Sequence, residues 1–229
     1  MNRITIANKI RNNLNDAGVT YYSLSDIAES IQDGYDEVVV YCECIEKVVN
    51  IKQLVNTTYY NMRSLVPDYY RVIRIWSSRI NAMLNITSDR ENLYYRQDWE
   101  LANQSSRDVM VLGTEYLGIS GRTSDVNTDI SFKMWYKATA PIMTNDNDIP
   151  RINQKYQILL EHYGTADLLE QNQEFKKAQG YWIQYEKLLN EYRQKIQVLS
   201  RSDRVFNREG EYITNSRDLR AYNSSETFN

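Results

Sequence analysis

His162 is the only histidine of the chain, and it lies between Glu161 and Tyr163 in a stretch with helical spacing. A single imidazole cannot build a metal cluster, and a serine or cysteine nucleophile would need it close by together with an orienting acid. His162 therefore reads as an ordinary surface or core-edge residue. Cys42 and Cys44 are the only cysteines; two apart on an expected helix, their side chains diverge, which disfavours a disulfide or a metal site. Acid catalysis would use paired carboxylates such as Asp146 with Asp148 or Glu209 with Glu211. Both pairs fall in polar segments where nothing would raise a carboxyl pKa. The glycines from Gly113 to Gly121 lack the Lys-Ser/Thr ending of a phosphate loop and the spacing of a dinucleotide site. No catalytic, cofactor-binding or metal-binding residue is expected, and the chain does not read as an enzyme.

The elements that would position such residues are better marked than the chemistry. Ile6, Ile10, Leu14 and Ala17 form an apolar stripe and Gly18 stands at a C-cap position, so a first helix is expected over 3–17. Ser23 and Asp26 make a capping box that starts a second helix over 24–48, with Ile27, Ile31, Tyr35, Val38, Cys42 and Ile45 on one face. From about 51 to 140 the texture changes to short alternation broken by turn residues, which reads as a β-rich insertion. Strands are expected at Thr57–Tyr60, in a hairpin of Tyr70–Trp76 with Arg79–Leu84, and at Asp108–Leu112, Glu115–Ile119 and Asp129–Ala138. A short helix is expected from Ser88 to about Trp99, and Pro67 is expected in the loop Ser64–Asp68, with the first position of a helix as the alternative.

Ala140-Pro141 stops the last strand, Asn145-Asp146-Asn147-Asp148 forms a turn-prone linker, and Ile149-Pro150 leads into helices over 151–171 and 172–199. Gly164 marks a point where the first of these can bend or break, and Phe175, Ala178, Trp182, Tyr185, Leu188, Leu189, Tyr192 and Ile196 mark the inner face of the second. The expected class is α+β, mainly α: a helical bundle of N- and C-terminal helices, a β-rich insertion in the middle and an extended C-terminal arm. Residues 201–229 scatter arginines and aromatics among polar residues without periodicity, as in a disordered tail or an arm that orders on a partner.

The chain has 19 tyrosines and four tryptophans, side chains that build cores and are enriched where protein surfaces meet. A net charge of −3 argues against a sequence-independent grip on nucleic acid, which needs a basic face. No run approaches the roughly 18 to 20 apolar residues of a membrane span, and the N-terminus lacks the apolar core of a signal peptide, so synthesis in the cytoplasm is expected.

The order of these features carries a resemblance. The helix pair precedes a β-rich middle with Val66-Pro67-Asp68-Tyr69-Tyr70-Arg71-Val72, Asp98-Trp99-Glu100-Leu101, Tyr116-Leu117-Gly118-Ile119 and Trp135-Tyr136-Lys137-Ala138-Thr139-Ala140-Pro141. Then follow Asp146-Asn147-Asp148-Ile149-Pro150, Ala166-Asp167-Leu168-Leu169-Glu170-Gln171 and Lys177-Ala178-Gln179-Gly180-Tyr181-Trp182. From Ile4 to Leu199 this resembles the head-to-tail adaptor (connector) proteins of tailed bacteriophages. A single adaptor domain is expected over 1–200, and the arm over 201–229 lies beyond the stretch that carries the resemblance. The resemblance implies a virion structural protein at the portal vertex, forming a dodecameric ring on the portal protein. Such a ring extends the DNA channel and offers a platform for tail or nozzle proteins, and genomic DNA passes without sequence-specific binding. A closed ring needs two different complementary patches on each subunit. The residues expected to meet the portal or a neighbour are Arg201, Arg204, Phe206, Arg208, Tyr212, Arg217, Arg220, Tyr222 and Phe228. The alternative is a tail-completion or scaffold protein that binds a partner without forming a ring.

Overall fold

Asn2 starts the first helix, α1 (Arg3–Asn13), by accepting the Thr5 N–H on its side-chain oxygen at 3.1 Å, which satisfies one of the free donors of a helix start. The computed structural model describes residues 1–16, 21–54, 57–88, 108–113, 115–119 and 131–203. Helix α1 stops earlier than expected because Asn15 takes a left-handed conformation, φ 55°. The expected Gly18 cap lies outside the described residues. The capping box forms: the Ser23 N–H reaches the Asp26 carboxylate and the Asp26 N–H reaches the Ser23 hydroxyl, each at 3.1 Å. The second helix, α2 (Leu24–Cys42), ends before the expected 48 because Glu43 turns left-handed, φ 50°.

Past that turn come β1 (Glu46–Lys52), β2 (Tyr59–Asn61), the single-turn α3 (Met62–Leu65), β3 (Tyr69–Ser77), β4 (Ala82–Ser88), β5 (Asp108–Leu112), β6 (Tyr116–Ile119) and β7 (Ser131–Ala138). They form one seven-stranded sheet in the order β1-β7-β3-β4-β5-β6-β2, antiparallel except for the parallel pair β4–β5. The sheet curls. Tyr60 on β2 and Phe132 on β7 are five strands apart, about 24 Å if flat, yet their rings meet edge to face with centroids 6.3 Å apart. Ile75 and Met134, fully buried register partners, sit in its core. Pro67 lies in the turn after α3, and the expected helix from Ser88 to Trp99 lies outside the described residues apart from Ser88, which ends β4.

These findings correct the expected fold class. The middle of the chain is no small insertion in a helical bundle: the sheet is a seven-stranded half-barrel. Residues Glu43–Ile142 make a unit with its own core, separate from the helical unit of Met1–Cys42 and the chain from Met143. The misreading has a local cause. Ile45 and Val49 satisfy helical spacing after Cys42, but Lys47, Val49 and Ile51 are the more buried side of β1, alternating with exposed Glu46, Val48 and Asn50.

In the helical unit, a 3-10 turn (Gln154–Tyr156) leads to α4 (Ile158–Gln171), and Gln173, φ 62°, separates it from α5 (Phe175–Asp203). Helix α4 runs unbroken through Gly164. That glycine makes room rather than a bend: a Cβ there would lie 2.6 Å from Ile10 Cδ1 on α1.

Candidate assembly interface

Of the residues expected to meet a partner, Arg201 lies in the last turn of α5. Arg204, Phe206, Arg208, Tyr212, Arg217, Arg220, Tyr222 and Phe228 lie outside the described residues. Arg201 is thus the one residue of that set that the described part of the helical unit carries.

The linker of the helical unit is stitched down. The Arg3 and Ile4 N–H groups at the start of α1 donate to the carbonyls of Asp148 (2.9 Å) and Asp146 (3.1 Å). The Arg3 guanidinium donates to the Met143 carbonyl (3.0 Å) and pairs with Asp146 (2.6 Å). The Arg151 N–H donates to the Tyr35 hydroxyl (2.7 Å), and the Gln157 amide reaches the carbonyls of Pro150 and Ile152 (3.3 Å each). Asp148 accepts the Asn145 N–H (2.8 Å), so both carboxylates fix a turn. This network leaves Ile149 65% exposed on a rigid loop.

Much of the aromatic excess is core. Tyr163, Trp182 and Tyr185 form an edge-to-face triangle with centroids 5.2, 5.4 and 5.7 Å apart, and Tyr156 stacks on Tyr192 at 4.4 Å. The Tyr185 hydroxyl donates to Glu37 (3.0 Å) and the Trp182 indole to Glu170 (2.8 Å). Phe175, expected on the inner face, is exposed at the first position of α5, before that helix begins to pack. Ile183, one residue past Trp182, is also exposed and was missed; a β-branched apolar residue off the stripe was its only signal.

His162 is buried near Tyr181, ring centroids 6.0 Å apart, beside the ion pair of Lys9 with Glu161 (3.0 Å). Its Nδ1 has no hydrogen-bond partner among the described residues. Burial holds this imidazole below its ordinary range, with Glu161 pulling it up and Lys9 pushing it down. The folded state thus keeps His162 neutral where the unfolded chain already binds a proton. Its contribution is fully present above the unfolded value near 6.5 and is lost as pH falls toward the folded one. Urea midpoints between pH 8 and 5 should therefore fall more steeply for wild type than for His162→Gln; parallel curves would refute this. Cys42 is buried and Cys44 half-buried, both as thiols. Among the described residues no group of three or more His, Cys, Asp or Glu is placed to hold a metal, and no helix is long and apolar enough to cross a membrane.

Charge is sorted by helix. Helix α2 carries Asp26, Glu29, Asp33, Asp36 and Glu37 and no basic residue; α4 carries Glu161, Asp167 and Glu170 and none either. Burial first, then Glu37, Asp167, Asp33 and Glu170, push the Tyr163 phenol up to about 12. Helix α5 is the reverse: Lys176, Lys177, Lys187, Arg193, Lys195 and Arg201 outnumber Glu186, Glu191 and Asp203. A protein-family model described as SU10 adaptor protein matches residues 1–208. No curated protein matches the chain.

Proposed function

Since the chain belongs to the SU10 adaptor protein family, a family of phage structural proteins rather than enzymes, we propose that it is the head-to-tail adaptor of its virion. In this reading copies close into a dodecameric ring on the portal protein, prolong the DNA channel and present a platform to tail or nozzle proteins. The observation that carries the reading is the family match, which runs through both the helical and the sheet units and on to residue 208. The sorted charges of the helical unit support it, because a ring contact joins two unlike surfaces of the subunit. DNA passing the ring meets a chain of net charge −3, which gives its phosphates no general attraction.

The C-terminal arm is assigned to the portal or a neighbouring subunit. Its first part, with Arg201, Arg204, Phe206 and Arg208, falls inside the family match, and Tyr212, Arg217, Arg220, Tyr222 and Phe228 fall beyond it. Ordering such a segment costs about 2–5 kcal/mol of the gross interaction energy, so binding should be strongest on a preassembled portal. Electron microscopy of the protein mixed with its portal is expected to show a 12-fold collar. Isolated complexes of one or two copies would favour a tail-completion or scaffold protein instead. Deleting residues 201–229 should abolish portal binding and leave a folded protein, whereas unchanged binding would remove the arm from the interface.

A further inference from the structure

Helix α5 outruns its support. Among the side chains described on it, up to Val198, the last buried ones are Leu189, beside the end of α2 at Cys42, and Tyr192. From Arg193 to Val198 the side chains are exposed except for half-buried Ile196, and the helix continues to Asp203. That extension is roughly 16 Å long at 1.5 Å per residue. We infer that the α5 extension docks against the acidic flank of α2 and α4 in a second copy of this chain.

Charge complementarity selects the occupant. The extension carries Arg193, Lys195 and Arg201 against the single acid Asp203. Arg193 lies over the Tyr41 ring (4.4 Å) and Lys195 over the Tyr156 ring (5.6 Å), and neither forms an ion pair among the described residues. The opposite sign is on the same unit. Asp26, Glu29, Asp33 and Glu37 are exposed and recur every three or four residues along one face of α2, a spacing at which like charges destabilise a helix. Glu29 and Asp33 have no hydrogen bond or ion pair to a described residue, and Asp167 and Glu170 of α4 flank the same Tyr163.

Within one chain the extension runs away from Glu29 and Asp33. Helix α5 is continuous past Tyr41, and Asp33 lies two turns back along α2, about 12 Å away, so a straight extension carries its cations away from its own acids. In another copy they can meet, and the exposed Val198 adds apolar area to the contact. Flank and extension are different surfaces, as a ring contact requires. The inference deepens the adaptor reading and rests on it for ring closure.

Sedimentation velocity of the full chain tests it. Wild type should associate with rising concentration at about 50 mM salt and at least about tenfold more weakly at about 500 mM. Two full-length double variants, Glu29→Lys with Asp33→Lys and Arg193→Glu with Lys195→Glu, should each weaken association by about tenfold or more. An equimolar mixture of the two should recover it, because each then supplies the charge the other lacks. The neutral pair Glu29→Gln with Asp33→Asn, which perturbs folding least, should give an intermediate loss. Wild type that stays monomeric at low salt, variants that associate like wild type, or a mixture that fails to recover would each overturn the inference. Portal binding, measured separately, keeps the two readings apart: a wild type that binds portal without salt-sensitive self-association refutes this contact and leaves the adaptor reading standing.

Discussion

Gly34→Val is expected to melt the helical unit about 10–20 °C below wild type. A Cβ at Gly34 would lie 2.7, 2.8 and 3.0 Å from Cδ1, Cγ and Cβ of Tyr163, the root of that side chain rather than a flexible end. The Tyr163 ring cannot retreat, because Trp182 and Tyr185 hold it from α5. Overpacking typically costs about 1–3 kcal/mol, and valine's two extra methyls place this site at or above the top of that range. Alanine should cost less, since leaving glycine regains about 1 kcal/mol of helix propensity. Gly180 on α5 supplies the opposite sign: a Cβ there meets nothing within 4 Å, so Gly180→Ala should raise the melting temperature by a few degrees. Thermal denaturation followed by circular dichroism checks both, and a Gly34→Val protein that melts with wild type would mean that α2 and α4 can part without cost.

Tyr185→Ala is expected to destabilise the same unit by about 3–5 kcal/mol, as for other large buried rings. Tyr185 is 2% exposed and forms two sides of the aromatic triangle. Burial, followed by the Glu37 charge, pushes its phenol well above the ordinary range, so the hydroxyl stays a donor to Glu37. Tyr185→Phe removes that donor alone and should cost only about 0.5–1.5 kcal/mol, because Glu37 is exposed and water can replace it. Urea unfolding of the two variants separates ring from hydroxyl. Equal losses would show that the hydrogen bond, and not the packing, anchors α5 to α2.

The parts of the fold written in short-range signals could be read from the chain. The Ser23-Asp26 box, the stripe Ile27-Ile31-Tyr35-Val38 and the alternation of Ser131–Ala138 each need only a few neighbouring residues, and each stands where it was expected. The order of motifs likewise pointed to a phage adaptor, and the family match agrees at that level. What was not legible depends on distance. The pairing of β7 with both β1 and β3 joins strands far apart in sequence, and no periodicity within a window reveals it. The left-handed turn at Glu43, where any non-glycine residue is unusual, concealed the end of α2. The charge sorting of α2 against α5 is visible residue by residue, but that the α5 extension runs away from Glu29 and Asp33 of its own chain follows only from the course of α5.

The division of the chain also sets an order of events during synthesis. Helices α1 and α2 leave the ribosome first, yet the surfaces that bury Ile10 and Gly34 belong to α4, which is made more than a hundred residues later. The sheet is contiguous in sequence and can close once β7 has emerged and slotted between β1 and β3. Domains fold as units during translation, so the half-barrel should be complete while the two leading helices still wait for their partners. A nascent chain arrested once Ala138 has cleared the ribosome would then resist proteolysis across the sheet and be cut within α1 and α2, the reverse of what an N-terminal-first order would give.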